Sequence, residues 1–233
     1  MNQNYLNLFI GFDLTNRIPG YVLLDSILEK SSIPIRVTYL NKNNLQGFFN
    51  RPRGEFDSTD FSISRFLVPY LSNYQGWSLF IDNDMVVRTD IAELTNYMVE
   101  DYSVRCVKHN QIVKNDTKFR GERQTKYNMK NWTSVILFNN EKCGALTPEY
   151  VENTSGLDLH QFKWLKNIDT EIGDIPLSWN YLADVESMGQ EQVNNPKLIH
   201  YTEGGPFFKA TKDCEYAKDW LDAYNRMNDY LKY

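Results

Sequence analysis

Trp77-Ser-Leu-Phe-Ile-Asp-Asn-Asp-Met-Val86 decides how the rest of the chain is read. Trp77 to Ile81 is an apolar run of strand length, and Asp82-Asn83-Asp84 follows it directly. Continuous apolar character belongs to a strand buried on both faces, and open α/β sheets place ligands beyond the carboxyl ends of their strands. In extended backbone, side chains two apart point the same way, so Asp82 and Asp84 present two carboxylates to one cation while Asn83 faces elsewhere. Hard oxygen donors of this kind suit Mg²⁺ or Mn²⁺, which keep positions open for phosphate oxygens. Aspartates also cluster harmlessly in turns. What raises this D-x-D, the only one in the chain, is its place at a strand end.

Before this stretch, Leu6–Phe12 reads as a first buried strand, and Pro19 opens a helix with Val22, Ile27 and Leu28 at helical spacing. Ile33, Ile35, Val37 and Tyr39 then alternate as a second strand would. The segment from Asn41 to Asp57, rich in Asn, Gly, Pro and Arg, reads as a surface loop before a helix presenting Phe66, Leu67, Tyr70 and Leu71. After the acidic turn, Ile91–Met98 is expected to be helical, with Asp90 as N-cap and Glu93 closing a capping box. Strands are expected at Tyr102–Lys108 and Ser134–Asn139, and an amphipathic helix from Asp213 with Tyr216, Trp220, Tyr224 and Met227 on one face. Strands alternating with helices predict an α/β fold with a mainly parallel central sheet, and 233 residues suit one domain.

Composition narrows the partners. The chain is 42% hydrophobic, yet no apolar run approaches the roughly 20 residues of a membrane span, so a soluble protein without a transmembrane segment is expected. Met1 to Tyr5 carries no basic region, which favours a cytoplasmic location, with the terminal helix as a route to peripheral membrane attachment. Cys106, Cys143 and Cys214 are odd in number and without C-x-x-C spacing, so they read as reduced thiols. A net charge of −5 argues against nucleic acid as the main partner. The glycosylation-type patterns at Asn115, Asn131 and Asn153 mean nothing without secretion.

His200 follows Leu198-Ile199 and precedes Tyr201-Thr-Glu-Gly-Gly-Pro206, a turn whose glycines let backbone approach a ligand. An imidazole beside two carboxylates completes a site of two oxygens and one nitrogen that accepts Mn²⁺. A capping or hydrogen-bonded histidine is the competing reading from sequence.

With these segments in this order, the chain resembles glycosyltransferase family 8, whose members have the GT-A fold, a Rossmann-like nucleotide-diphospho-sugar transferase architecture. The resemblance is carried by Phe9-Ile-Gly-Phe-Asp13, Ser64-Arg-Phe-Leu67, Leu79 to Val86, Asn131-Trp-Thr-Ser-Val135 and His200 to Pro206. It implies a single domain with a nucleotide-binding half at about residues 1–110, a sugar and acceptor half at about 111–211 and a terminal helix at 212–233. By this resemblance Asp82, Asp84 and His200 hold manganese or magnesium, and Phe12, Asp13, Arg65, Asn83, Gly204 and Gly205 face the donor nucleotide. It places Trp132, Thr133, Ser134, Asp169 and Glu171 around the transferred sugar. Trp179 and Asn180 are expected to wall the acceptor pocket, since a flat ring suits a sugar face and an amide binds its hydroxyls.

One departure stands out. Where many family members carry Lys-Pro-Trp, this chain has Gly205-Pro206-Phe207, so the diphosphate cation must come from elsewhere, with Lys209, Lys108, Lys114 and Lys118 as candidates. His109 and His160 receive no role. The resemblance implies metal-dependent hexose transfer, with retention, from a nucleotide-diphospho-sugar such as a UDP-sugar to a glycan or glycolipid hydroxyl. Two other classes remain open: a haloacid-dehalogenase-like phosphatase with Asp82 as nucleophile, and a non-catalytic sugar-binding module. Against the phosphatase, Ser178 stands where a second acid after Gly173-Asp174 would be needed.

Overall fold

The computed structural model describes residues 4–54, 57, 59–110 and 129–229. Lys114, Lys118 and the Asn115 pattern lie outside the described residues. The strands are β1 (Leu6–Phe12), β2 (Ile35–Asn41), β3 (Trp77–Ile81), β4 (Met85–Val87), β5 (Val104–Cys106), β6 (Val135–Asn139), β7 (Ile172–Asp174), β8 (Tyr181–Leu182) and β9 (Leu198–His200). The α-helices are α1 (Ile18–Lys30), α2 (Val68–Leu71), α3 (Pro148–Asn153), α4 (Gly156–His160), α5 (Ile168–Glu171) and α6 (Ala217–Asp229).

The main sheet has the order β2-β1-β3-β6-β5-β7. β1 pairs parallel with both β2 and β3, and β7 pairs parallel with β5, while β6 is antiparallel to both its neighbours. Only β6 is reversed, so the mainly parallel sheet expected from the sequence is present. A smaller sheet, β4-β9-β8, lies at the carboxyl end of β3.

Period-two alternation divides β3 between two cores. Trp77, Leu79 and Ile81 join Leu8, Ile10 and Leu137, whereas Phe80 joins Phe66, Phe138 and Phe162 on the opposite face. Each such fully buried apolar side chain contributes roughly 1.5–3 kcal/mol of transfer free energy. Because both faces are covered, the strand reads as a continuous apolar run.

Chain order around the sheet sets the site. From β1 the chain moves through α1 to β2 on one side, and β3 lies on the other side of β1. The crevice between the carboxyl ends of β1 and β3 is therefore a topological switch point, the place where such sheets receive ligands. Asp13 directly follows β1 there, and Asp82 directly follows β3.

Several local expectations change. The predicted helix at Ile91–Met98 is a 3₁₀ helix over Ile91–Tyr97, and β4 intervenes before it. Asp90 does cap, accepting from the Ala92 amide at 2.9 Å, but Glu93 pairs with Thr89 and Lys197 instead of reaching back. The predicted helix around Phe66 divides into a 3₁₀ turn over Ser64–Leu67 and the short α2. Leu28 does not share the buried face of α1, being 57% exposed. The terminal helix starts at Ala217, with Trp220 buried and Tyr216 just before it. Among the described residues no helix is long and apolar enough to cross a membrane.

Candidate metal and nucleotide site

Two ladders converge at the end of β3. The Asp82 amide donates to Ser134 O at 3.0 Å, prolonging the pairing of β3 with β6. Beyond the acidic turn, β4 pairs antiparallel with β9 so that Met85 faces His200, and the Tyr201 amide donates to Asp84 O at 2.9 Å. That pairing carries His200 from late in the chain to the carboxylates. Ligand atoms of Asp82, Asp84 and His200 all lie within 4.8 Å of one another. Two carboxylate oxygens and an imidazole nitrogen at this separation fit one divalent ion and leave positions for phosphate oxygens.

Asp82 and His200 are each held from behind. Asp82 Oδ1 lies 3.0 Å from Arg65 Nη1, and the guanidinium, 4% exposed as a residue, also donates to Thr133 O at 2.7 Å and Ser62 O at 3.1 Å. The same group rests 4.9 Å over the Phe80 ring. Arg65 therefore braces Asp82 from inside the protein. His200 Nε2 lies 3.3 Å from Asp84 Oδ1, and its Nδ1 lies 2.9 Å from Asn180 Oδ1.

A cleft opens in front of these groups. Its walls include Asp13, Asn83, Gly204 and Arg65 as expected, and the metal-type triad lies in it. The Asp13 carboxylate is turned onto its own loop, accepting from Thr15 N at 2.8 Å and Thr15 Oγ1 at 2.7 Å. Asn83 turns from the two aspartates toward Asn16 O, at 3.5 Å. Gly204 has φ +112°, backbone that favours glycine.

Other expected residues do not line the cleft. Phe12 is buried against Tyr39, with ring centroids 4.9 Å apart, and Gly205 lies beneath Phe207, which alone reaches the wall. Trp132 packs on the core and donates from Nε1 to His109 O at 2.8 Å. Thr133 and Ser134 support Arg65 and Asp82 through their carbonyls. Trp179 and Asn180 are fully buried, so they are not the walls of an open acceptor pocket. Asp169 and Glu171 precede β7, level with the start of β3, and so sit at the sheet end opposite Asp82. Glu171 there accepts from Ser103 Oγ at 2.9 Å and the Asn167 amide at 2.7 Å.

Of the lysine candidates among the described residues, Lys108 is committed to Asp174 at 3.0 Å, and Lys209 lines a separate shallow depression beside Asp184. The cation on the cleft that sequence reasoning missed is Arg53, whose Nε donates to Asp57 O at 2.9 Å and whose Nη1 lies 3.9 Å from Asp60 Oδ1, a looser pairing than that of Lys108. Phe61, Thr202, Phe207 and Phe208 were also missed. His160, given no role, meets Thr133 Oγ1 at 2.7 Å through Nδ1 and so stands behind Arg65's partner. His109 is 1% exposed, and burial first, then the nearby His200, depress its pKa to about 3.

No family model matches the sequence. Protein CDI of Arabidopsis thaliana is 42% identical over 230 residues, covering 97% of this chain and 87% of that protein. Among solved structures, the WbbM bifunctional glycosyltransferase superposes with a TM-score of 0.68 at 15% identity, over 96% of this chain and 50% of that one. GlyE of Streptococcus pneumoniae TIGR4 gives 0.60 at 12% identity, over 95% of this chain and 60% of that one. The galactosyltransferase LgtC, in complex with donor and acceptor sugar analogs, gives 0.58 at 12% identity, over 95% of this chain and 96% of that one. This chain thus spans about half of WbbM and three fifths of GlyE. At such identities these likenesses establish the fold, and it is the GT-A glycosyltransferase fold. The chain belongs to the family of Protein CDI and has the GT-A glycosyltransferase fold.

Proposed function

We propose that this protein is a metal-dependent glycosyltransferase that moves a hexose from a nucleotide-diphospho-sugar, a UDP-sugar by its likeness to family 8, to a hydroxyl of a glycan or glycolipid. The observation that carries the reading is the convergence of Asp82, Asp84 and His200 within 4.8 Å in a cleft at the switch point of a glycosyltransferase fold. A divalent ion, Mn²⁺ or Mg²⁺, held there supplies Lewis-acid stabilisation of the charge left on the departing diphosphate. Asp82 and Asp84 provide its oxygen ligands and His200 Nε2 its nitrogen ligand. Arg65 holds Asp82 in place, and Arg53 on the cleft wall supplies positive charge toward the diphosphate in place of the absent lysine. Phe61, Phe207 and Phe208 offer apolar surface for the base or sugar ring. Retention of anomeric configuration belongs to the same proposal and rests on the family 8 resemblance.

The test is thermal unfolding against a panel of nucleotides and nucleotide-sugars, with and without Mn²⁺, followed by an assay of sugar transfer or donor hydrolysis. A ligand that binds only the native state raises the melting temperature by mass action. The expected result is a shift that needs both Mn²⁺ and a nucleoside diphosphate, and loss of turnover in Asp84→Ala with its fold retained. No nucleotide response with or without metal, or wild-type turnover in Asp84→Ala at saturating metal, defeats the proposal.

A further inference from the structure

The two nitrogens of His200 meet opposite kinds of neighbour. Nδ1 lies 2.9 Å from Asn180 Oδ1, and Nε2 lies 3.3 Å from Asp84 Oδ1. Which end of the Asn180 amide faces the ring follows from its other contact. Asn180 Nδ2 donates to Asn131 O at 3.1 Å, a carbonyl that an amide oxygen could not pair with. Oδ1 therefore faces His200, and it can only accept. The proton on Nδ1 is the partner it requires, whether the ring is neutral or charged.

The scaffold behind Asn180 is itself fixed. Asn131 has φ +63°, the left-handed region that Asn tolerates better than most residues, and its Oδ1 accepts from Thr202 Oγ1 at 3.5 Å. Thr202 belongs to the turn that follows His200. Asn180 has no exposed surface and His200 is 2% exposed, so water does not compete for Nδ1. A neutral ring with its proton on Nδ1 has a lone pair on Nε2 directed at the Asp84 carboxylate. A lone pair facing an anion is unfavourable, and a cation between the two reverses the sign.

We propose that Asn180 is a positioning residue that holds His200 with Nδ1 protonated and Nε2 presented to the divalent ion shared with Asp82 and Asp84. The proposal rests on the metal reading of the site and moves Asn180 from the acceptor pocket to the layer behind the metal. Hydrogen bonds of this kind orient ligating histidines and raise their basicity, and losing one costs roughly 10–100-fold in metal affinity.

The experiment compares the wild-type chain with Asn180→Leu, which keeps the side-chain volume and removes the acceptor. Mn²⁺ affinity is measured by titration calorimetry, and the protonation of each His200 nitrogen is read from long-range ¹H–¹⁵N NMR of metal-free protein at about pH 8.5, above the ordinary histidine pKa. The expected result is Mn²⁺ binding by the wild type with Nδ1 protonated. In Asn180→Leu binding falls roughly 10–100-fold and the proton moves toward Nε2. A wild type that binds Mn²⁺ with a bare Nδ1, or a folded Asn180→Leu that binds Mn²⁺ as tightly as wild type, overturns the role of Asn180 alone. A wild type that binds no Mn²⁺ overturns the metal reading and this proposal with it. If Asn180→Leu does not fold, the wild-type Nδ1 state decides.

Discussion

Replacing Arg65 with methionine keeps an apolar stem and removes the guanidinium. In the folded chain that group lies 3.0 Å from Asp82 Oδ1 and donates to Thr133 O at 2.7 Å and Ser62 O at 3.1 Å. The Asp82 side chain is 12% exposed, so the variant leaves a nearly buried carboxylate without its counter-ion and two carbonyls without a donor. Removing one partner of a buried pair costs roughly 3–5 kcal/mol. Asp82 borders an open cleft that lets water approach one side, which favours the lower figure. At about 3 kcal/mol, and roughly 2–4 °C per kcal/mol for a domain of this size, the melting temperature falls by roughly 6–12 °C. Thermal unfolding followed by circular dichroism in the presence of a chelator measures it. The companion variant carries Arg65→Met together with Asp82→Asn. With no unpaired charge left to bury, it should melt above Arg65→Met, a coupling of roughly 0.5–3 kcal/mol. A melting temperature within about 2 °C of wild type for Arg65→Met, less than 1 kcal/mol on this scale, or simple additivity in the double variant, would refute the view that Arg65 acts by bracing Asp82.

Gly11→Ala should destabilise the chain and disturb the cleft together, because a Cβ on Gly11 would meet the Phe61 ring at 2.4 Å and Phe61 is both buried and a cleft wall. Overpacking of this kind costs roughly 1–3 kcal/mol, and an unchanged melting curve with unchanged nucleotide response would show that Phe61 has room to move. His109 supplies the pH dependence. Its folded pKa of about 3 is depressed below the unfolded value near 6.5, so the unfolded chain binds the extra proton between the two. Its stability contribution is therefore complete above about pH 6.5 and is lost as pH falls toward 3, at up to about 1.4 kcal/mol per pH unit. His109→Gln should flatten the urea-unfolding free energy across about pH 4–6, and an unaltered slope would show that His109 is protonated in the folded state.

What the sequence disclosed and what it hid divide along physical lines. β1 and β3 were legible because strands covered on both faces are apolar throughout, and Asp82 and Asp84 were legible because charge breaking such a run is conspicuous. β4 was not, since Met85-Val-Val87 is too short for any periodicity to show. Its pairing with β9 is what brings His200 to the carboxylates, and a contact of that sequence separation leaves no local trace. Asn180 was assigned to a sugar pocket because an amide beside Trp179 has the right chemistry for one; burial, which sequence does not report, makes it a partner of His200 instead. Asp169 and Glu171 look like an acidic sugar-binding turn, yet which end of β7 they precede depends on the direction of that strand in the sheet. Arg53 lies in an Arg-Pro-Arg-Gly stretch without helical or strand period, so only its place on the cleft singles it out.

Charge balance ties the parts of the site into an order of events. Asp82, Asp84 and the buried Arg65 together carry one net negative charge, since Arg65 offsets one of the two carboxylates. A nucleoside diphosphate brings about two further negative charges, so donor alone meets repulsion at the floor of the cleft. A divalent ion reverses the sign of that floor, so the donor then meets attraction. Binding free energies are linked reciprocally, so whatever the ion adds to donor affinity the donor adds to ion affinity. Arg65 has a second consequence in this balance. By neutralising one carboxylate it lowers the charge offered to a lone cation without removing the site, so Mn²⁺ binds measurably by itself and binds more tightly once the donor's phosphates are in place.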